Sequence, residues 1–323
     1  MTSAGYSFNY FSSAALAVLG VLGICSVARA DIIYVDTGAA ISSYLLGASV
    51  TSSAFSGTPG ASVMSMVVTP NDVLLTAAYA SNGIYQYSSG GVPTLLASIT
   101  APKGLTIDGA GNIYVGADTN TSITNGYSIE ELHPNGTAYT NSIATGVYVG
   151  ALAVDSKGDV FEADDYSGDI VEYLAGGGGS KVYADLSSLF APFYGMAFDG
   201  AGDLFVSYQT GSHSGGVEEI TALGAKSVFY NATTSLPGNL AYDSSSGVLY
   251  MSYDLSSTGP GGGVLQFSAG TAGAVLAAHT TFESSTQGTL YAVAYAAPEP
   301  GTWLLFAAGL VLTWLFRSRL VRA

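Results

Sequence analysis

Cysteine is almost missing from this chain of 323 residues: Cys25 stands alone. A single thiol excludes an internal disulfide and a Cys-ligated metal cluster. Basic residues are nearly as scarce, with eight Lys and Arg against 23 Asp and Glu, and charged residues of either sign make up only 10%. Histidine occurs as His133, His213 and His279, with no HExxH or other paired spacing, so zinc chemistry of the usual kind lacks its ligands. No GxSxG elbow, P-loop or strand-to-helix GxGxxG is found, and no long amphipathic helical pattern interrupts the interior. These absences leave little room for a nucleotide-dependent, thiol-dependent or serine-hydrolase mechanism.

What the sequence does hold is 48% apolar residues, ample for a sizeable core, with part of that content concentrated at the two ends. Ala14 to Val27 is an apolar run of signal-peptide length, followed by Ala28-Arg29-Ala30, a small-x-small cleavage pattern that makes Asp31 the expected first mature residue. The preceding residues carry no Lys or Arg, which keeps an uncleaved anchor open as the alternative, and Cys25 follows Ile24 rather than the small residue that a lipoprotein signal wants. Residues 31 to 301 contain all 23 acidic side chains and only four basic ones (Lys103, Lys157, Lys181 and Lys226), a balance of −19. Such a body repels nucleic-acid phosphate and anionic lipid, so nucleic acid is excluded as a partner, and cations or neutral polymers are favoured.

At the other end, Thr302 to Phe316 is an uncharged run of about 22 Å if helical, and it reaches membrane length at residue 320 if Arg317 and Arg319 snorkel. Trp303 and Trp314 fall where interfacial aromatics belong, and Arg317, Arg319 and Arg322 mark the cytoplasmic end. Pro298-Glu299-Pro300, an apolar segment and a terminal arginine cluster together resemble the PEP-CTERM sorting signal of Gram-negative bacteria. That resemblance covers about 26 residues. It implies that an exosortase in the inner membrane recognises Pro298, Glu299 and Pro300, processes the chain nearby and delivers the body to the cell surface or extracellular matrix. An ordinary tail anchor behind a turn is the plainer alternative. The expected organisation is a signal peptide at 1–30, a body at 31–297 and a sorting signal at 298–323 with a transmembrane helix at 302–320.

Between the two ends the chain repeats. Asp108, Asp155, Asp199 and Asp243 recur at spacings of 47, 44 and 44, each closing a short apolar run and opening a Gly-containing turn into a second, alternating run such as NIYVGA or DLFVSY. A weaker copy covers 62–79. Two further strand-like runs follow in each unit, for example 170–174 and 181–186, which makes four strands per unit, the blade of a β-propeller. The D-x-x-G-[ND] turns resemble those of NHL-type six-bladed propellers, which implies an all-β, six-bladed body. Residues 288–295 read as an inner strand without successors and 31–46 as two strands without an inner one, so 286–297 and 31–60 are expected to share the last blade and close the ring.

Strand alternation divides the acids between two faces, one carrying the first turn of each blade and the other the second. Each repeated Asp is expected to cap its own hairpin by accepting backbone N–H groups, with ligation as the other use. The second-turn face collects Asp36, Asp118, Asp164, Asp165 and Asp254, and the starts of the inner strands add Lys103, Tyr148, Tyr194, Asn239 and Gln287 around the channel. So much oxygen would suit Ca²⁺, although a solvated acidic rim explains the same residues and no cofactor is otherwise called for. The 22 tyrosines serve first as strand packing, and those at the channel mouth could stack on sugar rings. The expected function is non-catalytic binding or scaffolding in an exopolysaccharide or biofilm envelope. The alternative is a Ca²⁺-dependent hydrolase or lyase of the lactonase type, which rests on analogy of fold.

Overall fold

The computed structural model describes residues 32–36, 41–45, 52–54, 63–87, 91–118, 127–138, 142–211, 214–254, 262–270, 275–279 and 292–296. The expected signal peptide at 1–30, Pro298-Glu299-Pro300, the 302–320 segment and Gln287 lie outside the described residues, among which no helix is long and apolar enough to cross a membrane. Residues 31–297 form a single compact unit.

Six four-stranded antiparallel sheets make up this unit. After β1 (Ile32–Asp36), β2 (Ile41–Leu45) and β3 (Ser52–Ala54), blade 1 comprises β4 (Val63–Val68), β5 (Leu74–Ala78), β6 (Gly83–Tyr87) and β7 (Pro93–Ser98). Blade 2 is β8 (Leu105–Ile107), β9 (Ile113–Asp118), β10 (Tyr127–Leu132) and β11 (Ala144–Val147). Blade 3 follows with β12 (Val149–Val154), β13 (Val160–Asp164), β14 (Asp169–Tyr173) and β15 (Ser180–Asp185). Blade 4 is β16 (Phe193–Phe198), β17 (Leu204–Gly211), β18 (Ser214–Ile220) and β19 (Lys226–Ala232). Blade 5 is β20 (Leu236–Asp243), β21 (Val248–Asp254), β22 (Gly262–Ser268) and β23 (Val275–His279). The sixth sheet runs β24 (Ala292–Ala296), β1, β2, β3, with Ile33 opposite Tyr295 and Val35 opposite Val293. The two ends of the body therefore meet in one sheet, and the first strands β4, β8, β12, β16, β20 and β24 touch in sequence around a closed ring.

Hydrophobic cores lie between the blades, one at each of the six interfaces. Because side chains alternate across a strand, neighbouring residues serve different interfaces. Leu74 packs with Tyr34 and Ala294 of blade 6, while Leu75 packs with Leu105 and Val115 of blade 2. Leu204 and Val206 face blade 3, and Phe205 between them faces blade 5. Second strands such as LLTAA and LFVSY are buried on both faces, so they are nearly continuous apolar runs and not the alternating runs expected of them. At the 4–5 interface Phe205 and Phe229 meet edge to face at 4.8 Å, and Phe229 meets Phe267 at 5.6 Å.

The repeated aspartates cap their turns. Asp108 Oδ1 accepts from the backbone N–H groups of Ala110 (2.9 Å) and Asn112 (2.8 Å). Asp155 and Asp199 accept in the same way from Lys157 and Asp159 and from Ala201 and Asp203. The glycine three residues after each Asp has φ of +88° (Gly111), +87° (Gly158) and +88° (Gly202), a left-handed geometry that Gly adopts without a Cβ penalty. In blade 1 Thr69 Oγ1 takes the capping role toward Val73 N–H (3.0 Å) and Asp72 holds the left-handed position at φ 59°, so the weak copy keeps the turn with different residues.

Candidate functional site

The second-turn face gathers its chemistry where blades 2, 3 and 4 meet the channel. Lys103 stands at the start of blade 2 and Asp165 follows the second strand of blade 3. Lys103 Nζ donates to Asp165 Oδ2 at 3.2 Å, and both side chains are partly exposed (25% and 20%). Asp165 Oδ1 accepts the backbone N–H of Phe193 at 2.8 Å, so one carboxylate ties blade 3 to both neighbours. Burial pushes the Asp165 carboxyl above its ordinary pKa, opposed by the Lys103 charge and the Phe193 N–H. Room for this inward carboxylate comes from Gly150, where an added Cβ would lie 2.3 Å from Asp165 Oδ1.

Aromatic rings surround the pair. The Lys103 ammonium lies 5.4 Å from the centroid of the Tyr127 ring. Tyr148 stacks on Tyr166 with centroids 5.1 Å apart and planes 26° from parallel, and Tyr166 is 81% exposed. Tyr194 joins Lys103, Gly150, Asp165, Pro192 and Met64 around a cavity of about 160 Å³. Burial, with the Asp165 charge second, raises the Tyr194 phenol, which therefore stays protonated and able to donate at neutral pH.

Deeper in, Asn239 Nδ2 of blade 5 donates to Ser65 Oγ of blade 1 at 3.2 Å, reaching past the intervening blade 6 where the channel narrows to about 60 Å³. The opposite mouth opens into a separate bowl of about 270 Å³, walled by residues from all six blades.

The expected ligand-face acids behave differently from one another. Asp164 caps its own turn, accepting from Tyr166 N–H (2.7 Å) and Ser167 N–H (3.2 Å). Asp36 is buried at 1% exposure; burial raises the Tyr87 phenol of the next blade, and the Asp36 charge adds a smaller push in the same direction. Asp254 ends β21 half-buried, while the Asp118 side chain and Gln287 lie outside the described residues. Of the set, Asp165 is joined to another expected residue, Lys103. Among the described residues no three His, Cys, Asp or Glu side chains come together to hold a metal ion. Asp165 and Asp164 are engaged by an ammonium and by turn amides respectively. Reading residue types alone misses Tyr166, Tyr127 and Ser65. For Tyr166 the signal was its place after Asp164-Asp165 in a second turn, where a large aromatic has no core to fill.

Residues 95–123 match the family model of a beta-propeller repeat. No curated protein matches the chain. Among solved structures the chain is similar to one in a nidogen/laminin complex, with TM-score 0.65 and 16% identity over 83% of this chain and 99% of that one. It is also similar to the PQQ-bound aldose sugar dehydrogenase of Streptomyces coelicolor, with TM-score 0.54 and 15% identity over 72% and 84%. A gluconolactonase of Xanthomonas campestris aligns with TM-score 0.50 and 16% identity over 66% and 79%. At such identities the likeness establishes architecture alone, and it agrees with the sheets described above: the body of this chain is a six-bladed β-propeller.

Proposed function

We propose that this chain is an exported propeller of the cell surface or extracellular matrix, sorted by an exosortase through Pro298, Glu299 and Pro300, that binds a polysaccharide on its second-turn face. The observation that carries the binding role is the exposed Tyr166 ring, stacked on Tyr148 beside the Lys103–Asp165 pair at the channel mouth. A ring 81% exposed in a tight turn contributes little to folding. It offers a flat apolar face for a sugar, with the ammonium, carboxylate and Tyr194 hydroxyl as directional partners. Three arginines after the 302–316 run and the small-x-small pattern at Ala28 and Ala30 support export and transient anchoring in the inner membrane.

The test is retention of the purified full-length chain on immobilised exopolysaccharide from the producing bacterium. Tyr166→Ala should weaken retention about tenfold, in line with ~1–1.5 kcal/mol for a lost ring contact. Loss of retention in the unaltered chain would refute the binding role. Ca²⁺-dependent turnover of a lactone by the same preparation would replace it with the hydrolase alternative. For the sorting role, Glu299→Ala should leave the protein in the inner membrane fraction, and unchanged delivery to the surface would refute it.

A further inference from the structure

We propose that the cleft between blades 2 and 3 is a second binding site, one for a primary amine carried on an apolar body. This goes beyond the polysaccharide reading and does not depend on it. The cavity there, about 670 Å³, is of the size that small-molecule sites have. Strands β9, β10 and β11 wall it on the side of blade 2, and β13, β14 and the loop after β14 on the side of blade 3. Gly158, in the first turn of blade 3, also borders it, so the cleft belongs to the first-turn side, away from the Lys103–Asp165 pair. Ile143, Val147, Val160 and Leu174 supply an apolar lining in which the Tyr114 and Tyr173 rings are set. At the rim Gly176, Gly177 and Gly179 carry no side chain to fill the space, and a Cβ added at any of them would meet nothing within 4 Å.

The balance of hydrogen-bond donors and acceptors selects the head group. Tyr114 has one hydroxyl hydrogen, and both partners of its oxygen are carboxylates, Asp108 Oδ2 at 3.2 Å and Glu131 Oε1 at 3.4 Å. Tyr173 donates its hydrogen to Glu162 Oε2 at 2.6 Å. Each phenol has thus given its hydrogen to an acid and keeps only lone pairs for a ligand. Glu131, opposite Tyr114 on β10, adds a half-buried carboxylate and is the one charged side chain among the described wall residues. The lysines beside wall residues are already paired, Lys157 with Asp155 at 3.5 Å and Lys181 with Glu172 at 3.0 Å. Glu162 is an independent sign of the same shortage. It stands two residues after Val160 on the same face of β13, and its buried Oε1 has no hydrogen-bond partner. Acceptors therefore outnumber donors on this side of the blade 2–3 interface. A protonated primary amine brings three N–H donors and the compensating charge, while its apolar body covers the aliphatic wall. An alcohol offers one donor and no charge, and a carboxylate is repelled by Glu131.

The test is calorimetric titration of the purified full-length chain at pH 8 with tryptamine, tryptophol and indole-3-acetate, three indoles that differ in the head group. At that pH Glu162, whose pKa burial raises to about 7, is ionised and holds the Tyr173 hydrogen. Saturable binding is expected for tryptamine, about tenfold or more tighter than for tryptophol, with none for indole-3-acetate. Glu131→Gln keeps an oxygen for Tyr114 and removes the charge, so it should weaken tryptamine binding about tenfold or more and leave tryptophol within about twofold. Ala175→Trp, at an exposed position of the wall, should fill the cavity and weaken tryptamine binding by a similar factor. Glu219→Gln, in blade 4, should change it less than about twofold. No saturable binding of tryptamine, equal binding of tryptophol, or an unchanged affinity in Glu131→Gln or in Ala175→Trp would each overturn the proposal. Should Glu131→Gln fail to unfold cooperatively, Ala175→Trp and the ligand series still decide.

Discussion

Glu162, in the second strand of blade 3, is a buried acid whose titration should be visible in the stability of the protein. Its side chain is 0% exposed and its Oε1 has no hydrogen-bond partner, while Oε2 accepts the Tyr173 hydroxyl at 2.6 Å. Burial raises its pKa from 4.5 to about 7, the Tyr173 bond pulls the other way, and the charges of Asp164 and Asp165 add to the rise. The folded state therefore binds a proton between pH 4.5 and 7 that the unfolded chain has already released. Stability is lost as pH rises through that window and is flat above it. Each unit is worth about 1.4 kcal/mol per proton, so from pH 5 to pH 8 this one group removes about 2.5 kcal/mol.

Glu162→Gln keeps an acceptor for Tyr173 and removes the charge. Other carboxylates titrate too, so the informative quantity is the difference between variant and unaltered chain measured by urea unfolding at both pH values. That difference should move by about 2.5 kcal/mol in favour of the variant between pH 5 and pH 8, or about 5 °C in midpoint for a body of this size. Parallel curves for the two proteins would refute the reasoning, because they would mean that the carboxyl reaches water when ionised.

Other outcomes follow from the same structure. Phe205→Ala, at the centre of the 4–5 interface, should lose about 3–5 kcal/mol in chemical denaturation, since the packed neighbours Phe229 and Leu249 cannot close the void. Asp165→Ala strands both Lys103 and the Phe193 N–H and should destabilise by about 1–3 kcal/mol, with Asp165→Asn milder because an oxygen remains for Phe193. Asp199→Ala should lose about 1 kcal/mol and Asp199→Asn much less, as expected of a turn cap rather than a charge site in folding. At Gly195 an added Cβ would lie 2.5 Å from the Leu240 backbone nitrogen, so Gly195→Ala should shift neighbouring inner strands and lower the urea midpoint by more than an exposed Gly→Ala change does, Gly200→Ala being the comparison.

Much of the architecture is legible in the residues alone. A period near 44 residues, an Asp before four of the first turns and, in three of these, a Gly three residues on depend on local chain geometry: an L-residue pays to hold φ near +88°, and an unfilled turn amide is costly to bury. The same local logic divides the acids between two faces, because strands alternate direction. Orphan strands at the two ends of the body pointed to a shared blade, since a free sheet edge in a ring has nowhere else to pair. What the chain order does not carry is which side chains meet. Lys103 and Asp165 are 62 residues apart and Ser65 and Asn239 are 174 apart. Each pairing is set by how the blades pack around the channel, an outcome of six interfaces acting together. The face acids looked equivalent in sequence, yet one caps a turn, one is buried against the next blade and one crosses to a lysine. Contact and burial, which distinguish them, are properties of the closed ring and not of any repeat taken singly.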